Sequence, residues 1–475
     1  MKYLFLKLII IICAFNLQLN AQTYFNRLYD YNGTQNYNNA ASSLIELYNG
    51  DFFIGGVKFL SNFGALHFIR INSHGDTVLV KRFPKINCAY STAIGNSLIR
   101  CFDGNLVIAG AYTDSNSTHP DAILIKLTEN GDTLWTKTYG GANFDNANTV
   151  SQTPDSGFVL MGVTQSFSIG PASDFYLIKT DKDGNFQWQR TYGTTATEEC
   201  LSGQITLDGG FILSGHQNNQ FHVVKTDNVG NMQWQQTYAG TSGSSFIKQL
   251  TDSSYILTGG KVVTGFAGEA YMIKINKTGG IIWQNHYGSA SVNDWFYTIP
   301  IILSDGSMVI GGQQMLGSQP LGMLVKTDGA GNQQWLRTYY ANANNANYVY
   351  DVKHTSDNGF ILTGSGNLTG QDAWVVKVDS NGCEYAGCNV GIEELRVDGG
   401  EIEIYPNPAT NEITLATNQQ LKTIHIYNVL GEEVLKLERI ATSEKAIDIS
   451  AWNAGVYFVE VETEKGIVRR KFVKE

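Results

Sequence analysis

Asp181-Lys182-Asp183-Gly184-Asn185 has the oxygen-rich spacing of a loop that wraps a hard cation, a task that needs several oxygens converging on one point. The equivalent stretches Asp227-Asn228-Val229-Gly230 and Asp328-Gly329-Ala330-Gly331 lack the second acid. Calcium is the one ion this chemistry would suit. A hairpin turn explains the same residues without an ion, and no cofactor is expected. Glu198, Glu199 and Asp294 are the acids to inspect for paired-carboxylate chemistry, since loops distant in sequence can meet over a common axis. Arg70, Lys126, Lys179, Lys225, Lys274, Lys326 and Lys377 recur along the chain. Either they form a ring of positive charge, or each stem covers apolar surface while its head meets a turn carboxylate. His216 and His222 are the closest two histidines within the repeats and show no ligand-pair spacing. No nucleophile elbow, His-Glu-x-x-His or phosphate loop occurs. Whether the chain is an enzyme stays open, with the balance against it.

The elements that would position these residues follow from the repeat. Successive members of the basic series are 56, 53, 46, 49, 52 and 51 residues apart. A second series, Trp135, Trp188, Trp234, Trp283 and Trp335, opens the last strand of each unit, with Leu79 in that place in the first. A period near 50 with strand-like content means a stacked or circular array. Each unit holds four strands, with Asp-Gly turns joining the first to the second and Gly-bearing turns joining the third to the fourth. The seventh unit lacks its fourth strand, and Phe25-Asn26-Arg27-Leu28-Tyr29 has the spacing of Trp188 to Tyr192. A ring closed by both chain ends is therefore expected, which removes the open edges an array would expose. The recurrent Trp is expected to pack on Gly or Ala of the next unit. The pattern resembles the Trp-docking repeats of quinoprotein-type propellers and the propeller repeats of secreted bacterial proteins.

The fold class expected is all-β: a seven-bladed β-propeller over 22–382, a linker over 383–400 and a small Ig-like β-sandwich over 401–475. Because strands alternate in direction, all short turns share one face and all long loops the other. Binding concentrates on loops held by a rigid scaffold, so the long-loop face is where a ligand belongs. Phe63, Phe167, Phe266 and Trp295 lie on that face. They either stack on a sugar or protein, or tuck under their own loops.

A net charge of -10 over 475 residues excludes a nucleic-acid partner, which needs clustered Lys and Arg. Lys2 and Lys7 flank a short apolar run within 1–21, and Leu19-Asn20-Ala21 ends in a small residue, so a signal peptide cut between Ala21 and Gln22 is expected. No later segment is apolar enough to cross a membrane. Export permits disulfides. Cys383 and Cys388 are spaced to close a small loop, Cys88 and Cys101 either pair or stay buried, and Cys200 is the odd thiol.

After Glu394 the composition changes. Tyr405-Pro406-Asn407-Pro408-Ala409, Ile426 to Val434 with Gly431 in its turn, Gly455-Val456-Tyr457 and the basic end with Lys471 and Lys474 stand in the order of a known family. They resemble the type A sorting domain of the bacterial type IX secretion system. The resemblance implies export through that machinery to the outside or the outer-membrane surface of a Gram-negative bacterium. The function expected is a non-enzymatic glycan- or protein-binding module acting through its long-loop face. The alternative is a secreted carbohydrate-active or quinoprotein-like enzyme with its site at the axial pore.

Overall fold

The computed structural model describes residues 22–29, 39–60, 63–83, 89–92, 97–114, 117, 119–262, 268–288, 293–316, 319–341, 346–367, 371–385, 402–417, 419–428, 432–463 and 466–475. All regular structure among them is β. The expected signal segment, 1–21, lies outside the described residues, as do Cys88 and Cys388. The chain divides into two units, 1–382 and 383–475.

The first unit is a seven-bladed β-propeller. Its seven antiparallel sheets span 39–82, 89–139, 145–192, 198–238, 242–287, 295–339, and 348–378 with 25–29. The seventh sheet takes its outermost strand from the other end of the chain: Phe25–Tyr29 pairs with Gln371–Val378, placing Phe25 opposite Lys377 and Leu28 opposite Trp374. The Trp374 indole donates to Asn26 Oδ1 at 2.7 Å across the same joint.

Burial explains the strand sequences. Phe158–Thr164 and Asp174–Thr180, the middle strands of the third blade, are buried at every position because neighbouring blades cover both faces. The outermost strand, Phe186–Tyr192, has no sheet partner on its outer edge and is exposed or half-buried at every position except Tyr192. The apolar layers lie between blades. One such layer joins Val107, Ala109 and Leu124 of the second blade to Val150, Phe158 and Leu160 of the third. The series runs around the ring, and the last layer joins Phe25, Tyr29, Ile361 and Val375 of the seventh blade to Leu44, Phe52 and Ile69 of the first.

Each innermost strand has one unpaired edge, and side chains of the preceding blade serve it. Ser43 Oγ accepts from Leu98 N at 3.3 Å, Ser202 Oγ from Ile247 N at 3.2 Å, and Asp351 Oδ2 from Leu44 N at 3.0 Å. These acceptors all follow a bulge, at Ala41/Ser43, Cys200/Ser202 and Val349/Asp351. A bulge re-aims a side chain out of the regular alternation. In the sixth blade the innermost strand is broken into Trp295–Phe296 and Ile301–Ile302. Pro300 stands in the gap, and proline has no N–H for the ladder.

One contact repeats around the rim. The tyrosine that ends an outermost strand donates its hydroxyl to a glycine carbonyl in the next blade's outer turn: Tyr29 to Gly75, Tyr139 to Gly184, Tyr192 to Gly230, Tyr238 to Gly279, Tyr287 to Gly331 and Tyr339 to Gly382, at 2.6–2.9 Å. The expected Trp packing accompanies it. Gly184 has φ +74, and a Cβ there would lie 2.8 Å from the Trp135 ring, so both conformation and space demand glycine. Between the first and second blades Leu79 and Phe83 occupy the Trp and Tyr positions, and Phe has no hydroxyl to donate.

The second unit is a β-sandwich of a three-stranded sheet (Ile402–Tyr405, Glu412–Thr417, Glu444–Asp448) and a four-stranded one (Glu433–Glu438, Leu421–Tyr427, Gly455–Thr463, Gly466–Lys474). Ile413, Leu415, Ile424, Ile426, Val459 and Phe472 form its core.

Gly104 also has positive φ, +83, but a Cβ there would meet nothing within 4 Å. Gly104→Ala should therefore lose about 1 kcal/mol from backbone strain alone, and Gly184→Ala clearly more because it also displaces Trp135. Urea unfolding of the two variants measures the difference, and equal losses would show that the rim contact does not hold the ring.

Candidate functional site

Six of the seven residues of the basic series form ion pairs on the short-turn face, and Lys326 lines a cleft there beside Asp305. Arg70 meets Asp51, Lys126 meets Asp103, Lys179 meets Asp155, Lys225 meets Asp208, Lys274 meets Asp252 and Lys377 meets Asp357, at 2.6–3.2 Å. Each Asp lies in the turn between first and second strands, so the pair ties the inner hairpin of a blade to its third strand. Burial alone would raise the Asp208 carboxyl, but hydrogen bonds from Thr206, Lys225 and the Gly210 N–H hold it below the ordinary carboxylate range. Asp155 and Asp357 are held low in the same way.

The calcium-like turn is a hairpin cap. Asp181 Oδ1 accepts from the backbone N–H of Asp183 at 2.9 Å and of Asn185 at 2.8 Å, and Oδ2 accepts from Asn185 Nδ2 at 2.9 Å. Asp227 and Asp328 repeat the pattern with Asn231 and Asn332. In each, one carboxylate oxygen caps the turn backbone and the other accepts from the Asn side chain.

The acids of the long-loop face are buried clamps. Glu198 Oε1 accepts from Thr194 Oγ1 and Gln217 Nε2, both at 2.6 Å, and Asp294 Oδ1 accepts from Met315 N at 2.9 Å. Asp145 and Asn347 hold equivalent places at the head of an innermost strand. Asp145 receives Thr164, Ser166 and the Gly141 N–H, while Asn347 receives the Ala341 N–H. Sequence reasoning picked out Glu198 and Asp294 but missed that the position recurs, with Asp145 and Asn347 as its other members, although it stands five or six residues after the Tyr-Gly pair in Gly140 to Asp145, Gly193 to Glu198 and Gly288 to Asp294. Glu199 pairs with His216 at 3.4 Å. His222 is pushed down to about 4 by burial, and its Nδ1 lies 2.8 Å from Thr237 Oγ1.

Of the aromatics expected to bind ligand, Trp295 is half-buried and lies on the backbone of Gly260 and Gly268 of the fifth blade, where an added Cβ would be 2.0 and 2.6 Å from its ring. Phe167 is partly exposed with its ring 5.8 Å from that of Tyr176. Phe266 and the side chain of Phe63 lie outside the described residues. The structure thus does not bring Trp295 and Phe167 together. It does gather three tyrosines that the sequence scattered. Tyr348 and Tyr350, at the long-loop end of the seventh innermost strand, are near-parallel (4°) at 6.1 Å, and Tyr297 of the sixth blade meets Tyr350 edge-on at 6.4 Å. All three are half-buried. The Tyr350 hydroxyl accepts from Ser365 Oγ at 3.1 Å, and burial raises its pKa and that of Tyr297, so both stay protonated donors.

Two polar clefts open on the short-turn face. One of about 320 Å³ between the seventh and first blades is lined by Glu46, Asn49, His74 and Asp357, and one of about 400 Å³ between the sixth and seventh by Asp305, Lys326 and His354. Cys383 is disulfide-bonded, and its expected partner Cys388 lies outside the described residues. Cys101 and Cys200 are free and buried, so Cys101 does not pair with Cys88, and burial pushes both thiols up to about 12.

In the sandwich the two ends of the sorting motif meet. Asn407 Oδ1 accepts from Val473 N at 2.9 Å, and Ala409 N donates to Val473 O at 2.8 Å, beside Lys471 and Lys474. Tyr405 donates to Glu444 at 2.9 Å, while the Tyr457 ring stacks on Phe472 at 5.5 Å. Gly431 lies outside the described residues, and Gly455 opens the strand carrying Tyr457.

Residues 403–475 match the secretion system C-terminal sorting domain. The protein is accordingly one exported to the outside or the outer-membrane surface of a Gram-negative bacterium. No curated protein matches the sequence. Among solved structures, a protein of unknown function from Bacteroides caccae is 12% identical (57% of this chain, 90% of that one, TM-score 0.39). Another of unknown function from Dyadobacter fermentans DSM 18053 is 9% identical (73% and 96%, TM-score 0.42). The WD40 domain of Neurospora crassa Pan2 is also 9% identical (71% and 89%, TM-score 0.43).

A carboxyl held low in the folded state adds stability above its unfolded pKa of about 4 and loses it as pH falls through the folded value. The urea midpoint should hold steady between about pH 7 and 5 and drop below about pH 4. Asp208→Asn should start lower and fall less steeply. An unchanged slope would show that the Lys225 pair contributes nothing to folding.

Proposed function

We propose that this protein is an exported glycan-binding propeller without catalytic activity, its ligand meeting the axial mouth of the long-loop face. The observation that carries the reading is the tyrosine group Tyr297, Tyr348 and Tyr350, brought together from two adjacent blades. Tyrosine offers a flat apolar face and a hydroxyl donor on a side chain with few rotatable bonds, which suits the faces and hydroxyls of a sugar ring. The blades hold Tyr348 and Tyr350 on a strand and Tyr297 directly after one, and the buried clamps Asp294 and Asn347 tie down loops of the same two blades. Pre-organisation of this kind reduces the ordering that binding requires. The sorting domain supports the setting, since it delivers the propeller to where extracellular polysaccharide is met.

A glycan array probed with the mature chain, with and without calcium, should return ligands that Tyr348→Ala weakens about tenfold or more. Retention of full affinity by that variant, or an array with no ligand, would sink the reading. A chain lacking 403–475 should remain in the periplasm on cell fractionation, whereas the full chain reaches the surface or medium.

A further inference from the structure

The short-turn face carries an exposed apolar arc. The residue just before the Asp or Asn-Gly of each inner turn is Tyr48, Phe102, Pro154 and Leu207 on the first four blades, and Thr251, Ser304 and Ser356 on the last three. Tyr48 is 84% exposed, Phe102 70% and Leu207 68%, and Pro154 is exposed as well. Single exposed apolar residues are ordinary, but the same turn position on four consecutive blades sets them in blade order along one half of the disc.

These side chains are held on fixed backbone. The Phe102 N–H donates to Gln152 Oε1 at 2.7 Å, and the Leu207 N–H donates to Gln249 Oε1 at 2.8 Å, each acceptor reaching from the innermost strand of the next blade. The Arg100 guanidinium lies 3.6 Å above the Tyr48 ring while it pairs with Glu129 at 3.1 Å. The surroundings are acidic. The fourteen short turns carry fifteen Asp and Glu residues. Lys182, Lys277, the seven third-strand cations, and Arg27, Lys81 and Arg100, which pair with Asp76, Asp132 and Glu129, bring the nearby cations to twelve, so an acidic excess of three remains. Hydrogen bonds from Asn185 and Asn332 keep Asp181 and Asp328 below the ordinary carboxylate range, so these two stay ionised through neutral pH, while Arg27 and Lys81 hold Asp76 and Asp132 low as paired carboxylates.

We propose that this arc is a second binding site, on the face opposite the tyrosine group, for a basic polypeptide segment whose apolar side chains pack on Tyr48, Phe102 and Leu207 while its lysines and arginines meet the surrounding carboxylates. An apolar centre within a charged rim is the anatomy of a protein interface, and opposite charge selects the partner. A nucleic acid or an anionic lipid surface would be repelled by the same acids.

The probe is a labelled peptide alternating Lys and Leu, compared with one alternating Glu and Leu, titrated into the mature full chain by fluorescence anisotropy at low and high salt. The Lys/Leu peptide should bind, and weaken with salt, while the Glu/Leu peptide should not. Phe102→Ser with Leu207→Ser should lower affinity about tenfold or more. Ile169→Ser, removing an exposed apolar residue of a long loop, should leave it unchanged. Circular dichroism and melting of each variant should match the parent, because all three side chains are exposed. Equal binding by the double variant, or equal binding of both peptides, overturns the proposal. So does sedimentation showing that the parent dimerises and the double variant does not, which would make the occupant a second copy.

Discussion

No blade of this propeller owns a core. The apolar side chains of each sheet are shared with the next, as where Val107 and Leu124 of one blade complete the layer begun by Phe158 and Leu160 of its neighbour. Hydrophobic burial, the largest favourable term in folding, is thus available only to a closed ring. The last layer depends on a strand that is last in space but first in sequence, Phe25–Tyr29 beside Gln371–Val378. The serine and aspartate bridges between innermost strands, the rim tyrosines and the Asp–Lys pairs all act on a ring that this sharing has already dictated.

Residues that repeat could be interpreted from the sequence, because each copy reports the same environment. The spacing of Lys179 and Trp188 marked third and fourth strands, and the pairing of Lys179 with Asp155 and the seating of Trp135 on Gly184 followed the expected chemistry. The closing strand was legible because Phe25 and Tyr29 keep the Trp-to-Tyr spacing. Residues that act once were opaque. Tyr297 and Tyr348 are far apart along the chain and meet through the placement of two blades and a bulge at Tyr350. Exposure likewise could not be inferred for Trp295, whose ring is covered by glycines of the preceding blade. Glu198 and Asp294 look like chemistry in a linear reading and are loop clamps in three dimensions.

The sandwich obeys a different logic. Its recognisable residues lie at opposite ends of the domain sequence, and Asn407 is hydrogen-bonded to the backbone of the terminal strand at Val473. A receptor reading this surface would meet the opening motif and the basic end as one patch, so neither segment alone presents it.

The seam between the first and second blades stands apart from the rest of the rim. Leu79 and Phe83 stand where five other joints have an indole and six a phenol, so this joint keeps its shared apolar layer but not the clasp that fastens six others. Under mechanical load, the annulus would be expected to part there, in the middle of a covalently continuous stretch, rather than at the joint stitched from the two termini.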